Sequence, residues 1–249
     1  MWSDQLSGPL DSLRRCGPVV MLPLMYVGVH SKVGQPFSVL AIAASAGGIT
    51  ALKRVLATLP KEFPVPVLVV QHLPSAKVFP SKLAEILARV TSLRVKWAEQ
   101  GELLKSGTVY LAPQDHQMCI TAFHSVRLSL EPKVNWSRPA ADPLFFSLAE
   151  HYAERAVCLV LTGANRDGAK GARAISEAGG RVLAQDEESS EAFEMPLATM
   201  RSGRVDFVLP LERIACAVIV LCMVPGGAGW FRVADNALAQ NDLPIYTSL

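Results

Sequence analysis

From Phe37 to Val224, short β-branched and aliphatic runs alternate with longer stretches of helical period, and most of the runs stop at a polar residue, a glycine or a proline. Strands that read as near-continuous apolar runs are buried on both faces, so the alternation describes a sheet covered by helices on each side. The expected fold is α/β: a doubly wound, mostly parallel sheet with helices on both faces, an appended antiparallel hairpin and a Rossmann-like layout. Strands are expected at Phe37–Ala44, Val65–Gln71, Thr108–Ala112, Val157–Leu161, Arg181–Gln185 and Val205–Leu209. Helices are expected at Ile49–Leu59, Val78–Val90, Asp142–Glu154, Ala169–Ala178, near Leu197 and at Ile214–Val224. Met118–Phe123 and Val126–Leu130 alternate around His124-Ser125 and read as the hairpin. Asp142-Pro143 reads as a helix N-cap followed by proline at the first helical position.

The division this implies is an N-terminal extension over 1–36, one domain over 37–224 and a C-terminal tail over 225–249. The 24 basic and 22 acidic residues are interspersed without a long run of either sign, so no nucleic-acid surface is expected. The apolar stretches Gly17–Val29 and Ile214–Val224 are too short to span a bilayer, and no membrane insertion is expected. Five scattered cysteines without a C-x-x-C spacing suggest a reducing compartment, and Cys158, inside Ala156–Leu161, reads as an inert core thiol.

In sheets of this type, ligands bind at the carboxyl ends of the strands, where the following helices point their positive ends. Three polar residues fall at such ends: Ser45 in Ser45-Ala-Gly-Gly48, His72 after Gln71, and Asp167 in Thr162-Gly-Ala-Asn-Arg-Asp-Gly168. They are the residue types of an acyl-transfer triad, a hydroxyl nucleophile, a base and an orienting carboxylate. Gly47 and Gly48 allow a sharp turn and close approach to the main-chain N–H groups at the helix start. Each residue also has an ordinary reading: Ser45 as a helix cap, His72 as a loop histidine bonded to backbone, Asp167 as a turn or cap. A nucleotide- or partner-binding module at the same edge is the competing function, although neither G-x-G-x-x-G nor G-x-x-x-x-G-K-[ST] occurs.

Several segments together carry a resemblance. Ala44-Ser-Ala-Gly-Gly48, Val69-Val-Gln-His-Leu-Pro74, Val109-Tyr-Leu-Ala-Pro113, Arg138-Pro139 with Asp142, Leu161-Thr-Gly163 with Asp167-Gly-Ala169, Gln185-Asp186 and Met195-Pro196 occur in this order. In that order they resemble the catalytic domain of the chemotaxis receptor methylesterases, the CheB family, over roughly residues 37–222. The resemblance implies a cytoplasmic serine hydrolase that converts glutamyl methyl esters on chemoreceptor cytoplasmic helices to glutamate and methanol, with deamidation of receptor glutamines in many members. It implies Ser45 as nucleophile, His72 as general base, Asp167 as orienting carboxylate and Met195 near the site, with methylated chemoreceptors as partners and no metal or cofactor.

The sequence departs from the family pattern T-G-M-G-x-D-G, in which Ala164 and Asn165 here replace methionine and glycine. If that glycine requires a positive φ, Asn165 reshapes the loop. A member that keeps the fold and docks on receptors without turnover is therefore a third alternative. Family members also carry a receiver domain, and the segment before Phe37 is too short for one, so the expectation is a stand-alone catalytic domain.

Overall fold

The computed structural model describes residues 37–203 and 205–224. The expected extension and tail lie outside the described residues.

Nine strands and six helices are present among these residues: β1 Val39–Ala44, α1 Gly48–Thr58, β2 Val67–Gln71, α2 Leu83–Ala88, β3 Arg94–Trp97, β4 Thr108–Leu111, β5 Gln117–Ile120, β6 Val126–Ser129, α3 Ala141–Tyr152, β7 Ala156–Val160, α4 Ala169–Glu177, β8 Arg181–Gln185, α5 Glu194–Ser202, β9 Phe207–Leu209 and α6 Leu211–Met223. Seven strands form one sheet in the order β3-β4-β2-β1-β7-β8-β9, every pair parallel. The chain leaves β1 toward β2 on one side and later returns to β7 on the other. The carboxyl end of β1, where the order reverses, is therefore the switch point at which sheets of this type bind ligands.

Burial explains the apolar runs. Every residue of β1, β2 and β7 is buried, and consecutive side chains of β1 serve different cores. Leu40, Ile42 and Ala44 pack with Leu52, Val55 and Leu56 of α1 and Ile214, Val218 and Ile219 of α6. Val39, Ala41 and Ala43 pack on the other face with Leu144, Phe145 and Leu148 of α3 and Ala172 and Ile175 of α4. Two alanines at Ala41 and Ala43 leave room for α3 and α4, which meet closely enough that a Cβ on Gly171 would strike Phe145 Cβ and the Asp142 backbone.

Two local expectations change, the extent of α2 and the capping of α3. The helix expected over Val78–Val90 is only α2, Leu83–Ala88, because Pro80 precedes it and the Gln114 side chain engages Ser81 N–H and Phe79 O instead. The expected hairpin is present as β5 and β6, a two-stranded antiparallel sheet of its own, and Ser147 Oγ of α3 accepts from Ile120 N–H at 2.9 Å. Asp142 is not the cap of α3; that position is Ala140, and Asp142 lies buried in the first turn. Leu93–Trp97, unassigned by pattern, supplies edge strand β3.

Cys119, Cys158 and Cys222 are buried free thiols, and burial pushes Cys158 far above the ordinary thiol value, as an inert core cysteine requires. Cys216 is disulfide-bonded, which departs from the reading of five reduced thiols. Among the described residues no helix is long and apolar enough to cross a membrane.

Leu159, with no exposed surface, sits in β7 on the α1/α6 face. Leu159→Ala is expected to cost about 2–5 kcal/mol, read as a lowered urea midpoint at unchanged m-value.

Candidate active site

The register of the central strands fixes the rim. Ala44 of β1 pairs with Gln71 of β2, so the next residues out, Ser45 and His72, leave the sheet side by side. His72 N–H continues the ladder to Ala44 O at 3.0 Å, and Ser45 N–H bonds Thr162 O beyond β7 at 2.9 Å. The ends of three adjacent strands are thereby tied together. Gln71 Nε2 adds a clamp, donating to Ser45 O at 2.9 Å and His72 O at 3.1 Å.

The ordinary readings of these residues do not describe their surroundings. Gly47, at the N-cap position of helix α1, has φ 72°, and no side chain caps the helix. Ser45 is partly buried, and among the described residues its hydroxyl makes no hydrogen bond. Gly47 must remain glycine both for its left-handed φ and because a Cβ there would lie 2.6 Å from Glu191 Cβ. A Cβ at Gly48 would likewise strike the Gln71 side chain.

His72 is bonded to a carboxylate, not to backbone. Its Nε2 lies 2.7 Å from Asp167 Oδ2; the Asp167 side chain is fully buried, and the His72 side chain keeps 11% of its surface exposed. Asp167 caps no helix of its own, since α4 starts at Gly168 without a side-chain cap. Instead its oxygens accept from the first turn of α3, Ala141 N–H at 2.5 Å and Asp142 N–H at 3.2 Å. Burial works against its ionisation, but the His72 hydrogen bond and the two α3 N–H groups outweigh it and hold its pKa below the ordinary carboxylate value.

An ionised carboxylate only accepts, so His72 carries its proton on Nε2 and presents a lone pair at Nδ1. The other side of the ring agrees. Asn165 Oδ1 accepts from Asp167 N–H at 2.9 Å, which fixes the amide and leaves its Nδ2 donor 3.4 Å from His72 Nδ1. Asn165 is not among the described residues with positive φ, so its substitution for glycine leaves the loop unstrained and Asp167 in place.

Pattern reading missed a second carboxylate partner. Asn135, held at φ 46° in the turn Val134–Ser137, donates from Nδ2 to Asp142 Oδ2 at 3.0 Å and Asp167 Oδ1 at 3.3 Å. One amide thus stands between two buried acids. Burial, with the Asp167 charge, raises the Asp142 pKa against the Gly171 N–H and Asn135 bonds that lower it. The signal in the sequence was Asn135 just before the quoted Arg138-Pro139, at a position where a residue of ordinary φ does not fit.

The remaining support crosses from β7 and β8. Thr162 Oγ1 donates to Ala46 O at 2.9 Å and accepts from Ala192 N–H at 2.8 Å, while buried Gln185 accepts from Thr162 N–H at 2.9 Å. Met195 is buried against Gly163, whose missing Cβ would strike Met195 Sδ and lie 2.8 Å from Ser45 Cβ. Among the described residues the N–H groups of Ala46 and Gly47, which follow Ser45, and of Ala164, which follows Gly163, have no internal acceptor. Among them, too, no group of three His, Cys, Asp or Glu is placed to hold a metal ion.

A doubly wound sheet with a hydroxyl, an imidazole and a buried carboxylate at its switch point has the layout of the α/β serine hydrolases. A family model described as CheB methylesterase matches residues 40–218, and the chain belongs to that family. The solved catalytic domain of CheB methylesterase from Thermotoga maritima superposes with a TM-score of 0.70 at 37% identity, covering 74% of this chain and 97% of that one. A protein-glutamate methylesterase/protein-glutamine glutaminase of Methanosarcina mazei is 41% identical over 189 residues, 73% of this chain and 51% of the relative. A relative from Rhizobium meliloti with the same activity in its name is 42% identical over 180 residues, 72% of this chain and 50% of its own length. The chain thus spans about half the length of these two curated relatives.

Because the folded pKa of Asp167 is depressed, its contribution to stability is present above the unfolded value of about 3.9 and is lost as pH falls through the lower folded value. Asp167→Asn should therefore be less stable than the parent at neutral pH, with the gap closing below about pH 3.9 in urea titrations.

Proposed function

We propose that residues 37–224 form a single catalytic domain that hydrolyses glutamyl methyl esters to glutamate and methanol and deamidates glutamines at the same positions. The substrate is the cytoplasmic helical bundle of a methylated chemoreceptor, so the protein acts in the cytoplasm as part of chemotaxis-type signalling. The relatives' names, which pair methylesterase with glutaminase, support both chemistries, since ester and amide hydrolysis share one acyl-enzyme.

The observation that carries the reading is the His72 Nε2 to Asp167 Oδ2 contact at 2.7 Å, one residue beyond the strand register that sets Ser45 beside His72. In the proposed cycle Ser45 Oγ attacks the ester carbonyl as its proton passes to His72 Nδ1. Asp167 keeps Nε2 protonated and stabilises the imidazolium that forms. The unpaired N–H groups around Ser45 receive the oxyanion. The imidazolium returns the proton to the departing methoxide, and water then repeats the attack on the acyl-serine. Residues 37–224 supply every group this cycle uses.

Ser45→Ala and His72→Ala should each lower kcat by about 10⁴-fold or more, measured as methanol released from methylated receptor. Near-parent turnover by a folded Ser45→Ala protein would end the proposal.

A further inference from the structure

The base of the proposed cycle is already occupied. The Nδ1 lone pair that must take Ser45's proton faces the Asn165 amide donor at 3.4 Å, while the Ser45 hydroxyl makes no hydrogen bond among the described residues. We propose that Asn165 is a positioning residue that guards the base: in the resting site its Nδ2 occupies the His72 Nδ1 lone pair and must release it before Ser45 can be deprotonated. This inference rests on the hydrolase reading above and concerns how that site is held back.

Three observations support it. The two ends of the amide have separate tasks, since Oδ1 turns the loop by accepting from Asp167 N–H at 2.9 Å and so leaves Nδ2 no alternative orientation. The imidazole cannot escape by changing tautomer, because Nε2–H is committed to a carboxylate that its hydrogen-bond partners keep ionised against the effect of burial. The backbone at Asn165 has no positive φ, so the conformation there does not require glycine, and the asparagine serves the loop through Oδ1 while Nδ2 faces the ring. A single lone pair accepts one strong donor at a time, so amide and hydroxyl compete for it. Breaking the amide contact adds to the barrier of acylation, and the loop 162–168 that carries it is open to a partner at exposed Ala164 and Arg166.

The test uses the full chain and a serine-directed fluorophosphonate. Asn165→Ser keeps an oxygen for Asp167 N–H but cannot reach the ring, and Asn165→Ala removes both contacts. Both variants should raise the maximal rate of Ser45 labelling by about two- to tenfold, the span of one net hydrogen bond, with the half-saturating concentration unchanged. In ¹⁵N-labelled protein the His72 Nδ1 resonance should move toward that of an unbonded imidazole nitrogen. A labelled Ser45 whose maximal rate is unmoved or lowered in folded Asn165→Ser, or an unmoved Nδ1 resonance, overturns the guard alone. No labelling of Ser45 in the parent or in either variant overturns the hydrolase reading and the guard with it.

Discussion

A fully buried, ionised carboxylate is expensive, and the way this protein compensates Asp167 organises everything around the rim. Four donors converge on its two oxygens: His72 Nε2, the Ala141 and Asp142 N–H groups, and Asn135 Nδ2. Two of these are the otherwise unpaired N–H groups of the first turn of α3, whose partial positive charge suits an anion. The helix supplies what the acid needs, and the acid supplies the cap that α3 lacks in its own sequence. Loss of that carboxylate would loosen the α3 terminus and the imidazole together, which couples the stability of one face of the fold to the orientation of one ring.

Strand register does the rest of the positioning. Side chains at the end of a fully buried strand have little freedom, because slipping a parallel strand by one residue would exchange its two cores. Here that exchange would send Ile42 toward the alanine-lined α3/α4 face and Ala41 and Ala43 toward α1 and α6. Ser45 and His72 inherit their adjacency from this constraint, and Gln71, Thr162 and Gln185 lock it with side-chain bonds to the backbone just past the strand ends. These three polar residues are themselves buried, so losing these hydrogen bonds would leave further polar groups unpaired beside Gln71 Oε1, which already has no partner.

The legible part of the sequence was the part governed by local chemistry. The apolar runs marked β1, β2 and β7, and the switch-point argument put Ser45, His72 and Asp167 on one edge before any geometry was known. Asp142 was misread because Asp-Pro at a helix start is a cap by local rules, whereas its oxygens are taken by Gly171 N–H and Asn135 from elsewhere in the chain. Asn135 and the second task of Asn165 were invisible for the same reason. Each acts on a residue about 30 or more positions away, and no periodicity encodes such a pairing. The helix expected from Val78 failed through a local signal that was underweighted, since the helical spacing of Leu83, Ile86, Leu87 and Val90 begins only after Pro80, and the backbone just before it is bonded by the distant Gln114 side chain.

The tautomer of His72 bears on the choice between a hydrolase and a binder of anions at the same rim. A phosphate or carboxylate ligand calls for donors, and an imidazole whose Nε2 faces a buried carboxylate has that donor committed to Asp167 and not to a ligand. A binding module would also gain nothing from burying Asp167, which no ligand in the crevice can touch, yet would still bear the desolvation of its charge. A proton acceptor gains from both features: the buried carboxylate fixes which nitrogen is basic and steadies the charge that appears when that nitrogen is protonated. The arrangement makes physical sense when a proton is to be taken from a neighbouring hydroxyl, and the neighbouring hydroxyl is Ser45.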